Sequence, residues 1–385
     1  MFRIWQRRSV FILVLDEYPY LAERTEFFNS MLQHLIDYEF QKTNLFLILC
    51  GSQISFMEEE EVLGAKSPLF GRRTSQFEIK PFNYFETAKF LKNFSNEDKV
   101  KFYATFGGTP YYLEQINVNQ SYEDNVKRLF LQTGGYLYEE PMMLLRQELK
   151  ETAIYNTIIT AIAGGASKVG EIVNESGFRD SRQVSPYLDK LVKLRIVNKL
   201  TPFGENMKKT RNKRYVLADH FFAFWFQYIF SNRSSVEDQL GEIIFQKEIA
   251  PDLNRFIGKS TFEEICLSYL SKLNKIMKLP FLSSIKGSWW GVDQSQQTGN
   301  NQTDIDVIMA DKSERKIILG ECKWKNQLND VADISNLLEK KRLLPRYQEY
   351  YFYFFSKIPY SPAAYKLAEE NDHLKLIELD DLYKF

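Results

Sequence analysis

Cysteine is scarce. Cys50, Cys266 and Cys322 are the three in 385 residues, and they lie far apart, mostly within apolar runs. That excludes a disulfide framework and fits the reduced thiols of a cytoplasmic protein. Histidine is equally rare. His34, His220 and His373 are too scattered for a histidine-rich metal centre. No apolar run reaches eighteen residues, which rules out a transmembrane helix and predicts no membrane partner. Arg7-Arg8 stands ahead of a short apolar stretch, but Asp16-Glu17 interrupts it too early for a signal peptide. Net charge is zero, with 50 acidic and 50 basic residues, so any nucleic-acid surface has to be local. Neither internal repeats nor low-complexity tracts occur. What the chain has in quantity is aromatic residues, 31 Phe and 22 Tyr, enough for sizeable cores. Its length suggests two to four domains.

The organising stretch comes first. Val10-Phe11-Ile12-Leu13-Val14-Leu15 reads as a strand buried on both faces of a parallel sheet, and Asp16-Glu17 follow at its exit. A helical stretch from Glu23 to Tyr38 carries apolar Phe27, Phe28, Met31, Leu32 and Leu35. A second apolar strand, Leu45–Cys50, ends in Gly51-Ser52. Ligands of open α/β sheets bind at such strand exits.

These residues resemble the Walker B region of a P-loop ATPase, and more closely the archaeal-type ATPases, a branch of the AAA-like signal-transduction (STAND) NTPases. The likeness rests on four elements in order: Leu49-Cys50-Gly51-Ser52, Gly71-Arg72-Arg73, Pro81-Phe82, and Gly107-Gly108-Thr109-Pro110-Tyr111-Tyr112-Leu113. It implies that Asp16 holds a magnesium shell and that Glu17 orients or deprotonates the attacking water. It also implies nucleotide contact at Ser52 and phosphate sensing by Arg72 and Arg73, the other reading of the two arginines being surface or acid-paired residues. A Walker A loop, which cradles the phosphates of ATP, does not precede the strand. Gly258-Lys259-Ser260-Thr261 imitates one, but Leu253 replaces its first glycine, and the stretch reads as a helix start capped by Ser260 or Thr261. The expectation is a chain that is part of a longer protein, or has a misplaced start, and binds no ATP alone.

From residue 95 to 149 apolar residues recur at helical spacing, resembling the small helical lid of these ATPases. From 150 to 230 three short helices lead into a hairpin with its tip at Asn206–Asn212, the order of a winged helix-turn-helix. The hairpin carries Lys208, Lys209, Arg211, Lys213 and Arg214, and the third helix carries Arg182 and Gln183. In DNA readers the recognition helix enters the major groove. The same module also serves protein docking, so DNA and a protein partner or second copy both stand as expectations. The run Asp219–Phe226 is read as core or domain interface rather than a base-stacking platform.

The segment 231–385 holds a second constellation. Asp306 stands on one expected strand, and Glu321 and Lys323 on the next, two residues apart and so on one face. Asp306 is expected on that face across the hairpin. Two carboxylates can hold Mg2+, and a lysine beside them can position water. The series resembles the PD-(D/E)xK nuclease fold, with Asp306 as its aspartate, Glu321 and Lys323 as its E-x-K, and Glu263 as its helix glutamate. The full expectation is an α/β protein: a partial P-loop ATPase sheet over 1–94, a helical lid over 95–149, a winged helix over 150–230, and a PD-(D/E)xK-like α/β domain over 231–385. Its function is then ATP-regulated and DNA-associated. The alternative is a non-catalytic signalling or scaffold module.

Overall fold

A computed structural model describes residues 10–25, 27–51, 67–149, 151–296 and 301–384. Ser52 lies outside the described residues. The chain divides into two compact units, Met1–Lys80 and Pro81–Phe385.

In the first unit β1 (Phe11–Leu15) runs parallel to β2 (Leu45–Leu49), with Phe11 opposite Leu45 and Leu15 opposite Leu49. The crossover holds α1 (Tyr18–Arg24) and α2 (Phe28–His34). Parallel pairing needs such a crossover. Tyr18, Leu32 and Leu69 form the buried core, with Leu15, Leu47 and Leu49 against it. The apolar run was read as buried on both faces. Instead Val10 through Val14 are 39–66% exposed. Among the described residues β1 has one sheet neighbour, and three buried side chains are too few to cover both faces of a strand.

The second unit begins with α-helical segments whose aromatic side chains interlock. The helix α3 (Asn96–Phe106) is capped by Ser95, which accepts from the Asp98 amide. It ends at Gly107, φ 65°, and the next helical turn starts at Pro110. Gly108 is required here: a Cβ would lie 1.8 Å from the Phe82 carbonyl oxygen, and the Phe82 amide donates to the Gly108 carbonyl at 2.8 Å. Phe221, Phe224, Trp225 and Phe226 are wholly buried, so the aromatic run is core, as expected.

Three helices follow, α4 (Thr152–Ala163), α5 (Val169–Ser176) and α6 (Ser181–Lys193), and then an antiparallel hairpin of β3 (Val197–Leu200) and β4 (Arg214–Leu217). The cap of α6 is Asp180, whose carboxylate accepts from the amides of Arg182 and Gln183. Gly258-Lys259-Ser260-Thr261 is not a helix start. It lies in a π-helical turn, Ile257–Thr261, joining Ala250–Phe256 to α7 (Phe262–Lys275). Thr261 has helical dihedrals and caps nothing. Buried Phe256, Ile257 and Phe262 carry the apolar stripe through the turn, so packing keeps the helix continuous.

The remaining strands form one five-stranded sheet in the order β5 (Ile285–Val292), β6 (Gln302–Asp311), β7 (Lys316–Lys323), β8 (Glu349–Ser356), β9 (Leu374–Glu378). Strand β6 runs antiparallel to both β5 and β7, and β7, β8 and β9 are parallel. Helix α7 covers one face with Val307, Met309, Ile318 and Cys322 beneath it. Helix α8 (Val331–Glu339) covers the other, over Ile305, Ile308, Ala310, Ile317 and Leu319. Ile305 and Ile308 thus face the same way although three residues apart. The cause is a bulge. Gly287 pairs with Ile308 and Trp289 with Ile305, so Asp306 and Val307 together oppose Ser288. A bulge re-aims a side chain next to a site.

Candidate functional site

Two groups of charged residues meet where β6 and β7 part. Their register ends at Val307 opposite Gly320. Beyond it, the Asp306 carboxylate accepts from the Cys322 amide at 2.8 Å, in place of a ladder hydrogen bond.

The bulge corrects one expectation. Asp306 does not share a face with Glu321. Alternation sends Glu321 and Lys323 with Ile317 and Leu319 toward α8, whereas Asp306 turns with Val307 toward α7. Glu263, in the first turn of α7, is therefore the carboxylate that shares its side. Burial pushes the Glu263 carboxyl well above the ordinary range, and the charges of Asp306, Asp304 and Glu321 add to it. Asp306 is pushed up from 3.8 to about 7 by burial and then by Glu321, with the Cys322 amide opposing. The two groups are thus electrostatic neighbours across the gap between the strands.

On the α8 side Glu321 is clamped. Lys323 donates to one carboxylate oxygen at 2.5 Å, and Lys340 to the other at 2.6 Å. Burial raises the Glu321 carboxyl, but Lys340 and Lys323 outweigh it and hold it below the usual range. Burial lowers Lys323, and Glu321 and Asp306 more than offset that. Lys340, in the turn after α8, was not singled out by sequence reasoning, although Lys340-Lys341-Arg342 is a visible basic run. These residues line a polar cavity of about 330 Å³ with Asp293, Asn336 and Arg342. Arg342 reaches Asp293 at 2.7 Å and holds its carboxyl down at about 2.

Magnesium fits this arrangement only in part. Among the described residues no three His, Cys, Asp or Glu side chains stand at ion-holding spacing. Both oxygens of Glu321 are engaged by lysines. Glu263 and Asp306, on one side and with like charges crowded, are the pair that fits. Magnesium commonly takes one or two carboxylates and keeps several waters.

The hairpin cations lie apart from the acids but on the same compact unit. Lys208, Lys209 and Arg211 are exposed, and Lys213 is half-buried. Arg182 is exposed at the start of α6, 3.5 Å from Asp180. The hairpin loop is tied to β5 where it returns toward β4. The Asn212 side-chain amide donates to the Trp290 carbonyl at 3.1 Å, and the Trp290 indole donates to the Asn212 carbonyl at 3.1 Å. The Arg214 guanidinium lies 4.6 Å above the Trp290 ring.

In the first unit the Glu17 amide donates to Asp16 at 3.0 Å at the end of β1. Glu17 has φ 46° and precedes α1. Arg72 is committed to structure. It holds both oxygens of Asp37 at 2.8 Å and donates to the carbonyls of Pro68 and Phe70. Arg73 binds the Gln76 side chain.

A family model of an ATPase domain found predominantly in Archaea matches residues 2–116. A second, of archaeal and bacterial proteins of unknown function, matches residues 225–335, the stretch holding Glu263, Asp306, Glu321 and Lys323. The chain is 33% identical over 374 residues to the uncharacterized protein MJECL04 of Methanocaldococcus jannaschii, covering 96% of this chain and 79% of that one. The chain belongs to the family of that protein. It joins an ATPase domain of the archaeal type to a carboxyl-terminal domain of unknown function. Among solved structures, protein VC1899 from Vibrio cholerae aligns over 64% of this chain and 52% of that one, about half its length. Its identity of 15% and TM-score of 0.26 are too low for a structural argument. No helix among the described residues is long and apolar enough to cross a membrane.

Proposed function

We propose that α4, α5, α6 and the β3–β4 hairpin act as a winged helix that binds duplex DNA, in a protein of the archaeal ATPase type. One observation carries the reading. Lys208, Lys209, Arg211 and Lys213 gather on a hairpin loop that Asn212 and Trp290 fasten to β5 on its return side, while Lys208, Lys209 and Arg211 are open to solvent. A rigidly held basic tip supplies phosphate contacts without an ordering cost. The match of residues 2–116 to an ATPase domain of the archaeal type supports nucleotide regulation as part of this reading.

Anisotropy of a labelled duplex, measured across a salt series, tests the reading. Each phosphate contact contributes about 0.9 to the slope of log affinity on log salt. The triple variant Lys208→Ala, Lys209→Ala, Arg211→Ala should lose roughly 2–3 of that slope. An unchanged slope, or wild-type protein that fails to hold DNA at low salt, refutes DNA binding and leaves protein docking as the role of the hairpin.

A second reading, magnesium-dependent phosphodiester hydrolysis, is favoured by the crowded Glu263–Asp306 pair. An ion held there would polarise a phosphate oxygen as a Lewis acid. Lys323 keeps Glu321 ionised, and it has to leave Glu321 before it can orient water. Plasmid nicking with magnesium, beside a Lys323→Ala variant, tests this. Nicking lost in the variant supports it, and equal nicking by both points to a contaminant.

A further inference from the structure

The helix that carries Glu263 also carries an unused cation. Lys259 sits four residues earlier, in the π-turn, and so on nearly the same side of the continuous helix. Its ammonium packs against Gly165, at the end of α4. A Cβ at Gly165 would lie 2.6 Å from the Lys259 nitrogen. Gly165 has φ 117°, so a glycine leaves the space that the ammonium fills. Among the described residues no hydrogen bond or ion pair joins Lys259 to a carboxylate. Burial and then Arg255 draw its proton affinity down, Asp252 and Glu171 oppose them in part, and Arg214 adds to the repulsion.

Arg214 stands at the start of β4, its guanidinium on the Trp290 ring. Its Nε is buried and, among the described residues, donates to nothing. A buried donor without an acceptor is unfavourable, and a ligand that supplies the acceptor relieves it. Arg214 also acts on the charge of Glu263. Among the described residues neither cation is hydrogen-bonded to an anion, and the two, one from the hairpin and one from the helix of Glu263, border the acidic pair.

We propose that Arg214 and Lys259 form a seat for a nucleic-acid backbone phosphate, which sets the chain beside Glu263 and Asp306. The proposal rests on the DNA reading above and extends it from the hairpin tip to the base. The guanidinium offers planar donors to two phosphate oxygens, and the ammonium supplies a point charge. The acids then face the phosphate next to the one held, or the ester bond itself.

The test uses the full chain and a labelled duplex across a salt series. Lys259→Gln and Arg214→Gln are each expected to lower the salt slope by about one and to weaken binding by about tenfold at fixed salt. Lys259→Arg is expected to keep both. Lys259→Gln removes no packed ring contact, so it decides the matter where Arg214→Gln fails to fold. Slopes that match wild type in folded Lys259→Gln overturn the seat. If the hairpin-tip triple variant still weakens binding in that case, the DNA reading survives and the seat alone falls. If wild-type protein binds no DNA, both fall.

Discussion

Replacing Asp306 by asparagine should stabilise the protein at neutral and alkaline pH. An unfolded aspartate ionises near 3.8, and burial and the Glu321 charge raise the folded group to about 7. Between those values the folded state binds the extra proton, so stability falls as pH rises from about 4 to about 7 and then levels off. At about 1.4 kcal/mol per pH unit, the full loss is roughly 4 kcal/mol. Asp306 lies deep enough that solvent screening removes little of it. Asparagine keeps an acceptor for the Cys322 amide, and any residual packing cost is the same at every pH. Urea unfolding of wild type and Asp306→Asn at pH 5 and at pH 8 measures the difference. Their gap should widen by about 2–3 kcal/mol in favour of the variant between the two values. Relief of Glu263, which Asp306 also pushes upward, moves the result in the same direction. Parallel pH profiles would refute the reasoning, because the carboxylate would then be as well solvated folded as unfolded. If Glu263 and Asp306 take magnesium, millimolar ion at pH 8 should stabilise wild type and leave Asp306→Asn where it was.

Trp290→Ala removes the ring under Arg214 and the indole bond to Asn212, and should cost about 3–5 kcal/mol in urea unfolding. It should also weaken DNA binding beyond that of the hairpin-tip variant, since the hairpin loses its anchor. Gly108→Ala puts a methyl 1.8 Å from the Phe82 carbonyl oxygen, which neither backbone can yield to locally. A drop of several kcal/mol in stability, or insoluble protein, is the expected result, and wild-type unfolding would count against the close approach. ATP with magnesium should leave the melting temperature unchanged. Ligand at a hundred times its dissociation constant adds about 2.7 kcal/mol, so a clear upward shift would show that a phosphate site exists without a Walker A loop.

Much of the architecture was legible because local chemistry and packing agree. The run from Phe11 to Leu15 and the run from Leu45 to Leu49 are strands in a parallel pair, and the aromatic run after Asp219 is core. The glycine pair at 107 and 108 breaks a helix and meets Phe82, so two motifs far apart in sequence touch. What misled was context. An apolar run says that a strand tolerates burial, and neighbours decide whether it gets it. Among the described residues the first strand has one. Likewise glycine, serine and threonine close together are good helix-breaking and capping residues. Here apolar residues on both sides keep the helix intact at less cost, by a π-turn.

The decisive miss concerned Asp306, and the reason is general. Asp304-Ile305-Asp306-Val307-Ile308 alternates acid and aliphatic for three residues and then places two aliphatics together. Read at period two, it puts Asp306 with Ile308, toward α8, where Glu321 also lies. The extra residue opposite Ser288 reverses that phase. No glycine marks the bulge, and nothing in the five residues distinguishes it from a strand end. It is betrayed only by the partner strand, where Gly287 and Trp289 both face the α8 side against Phe203 and its neighbours. A single inserted residue therefore moves a carboxylate from one surface of the sheet to the other. It makes Glu263, and not Glu321, the partner with which Asp306 shares a side. Deleting Val307 closes the bulge but leaves Asp306 opposite Ser288 and still on the α7 side, between Ile305 and Ile308 that face α8, so the acid pair and any magnesium-dependent stabilisation should survive the deletion.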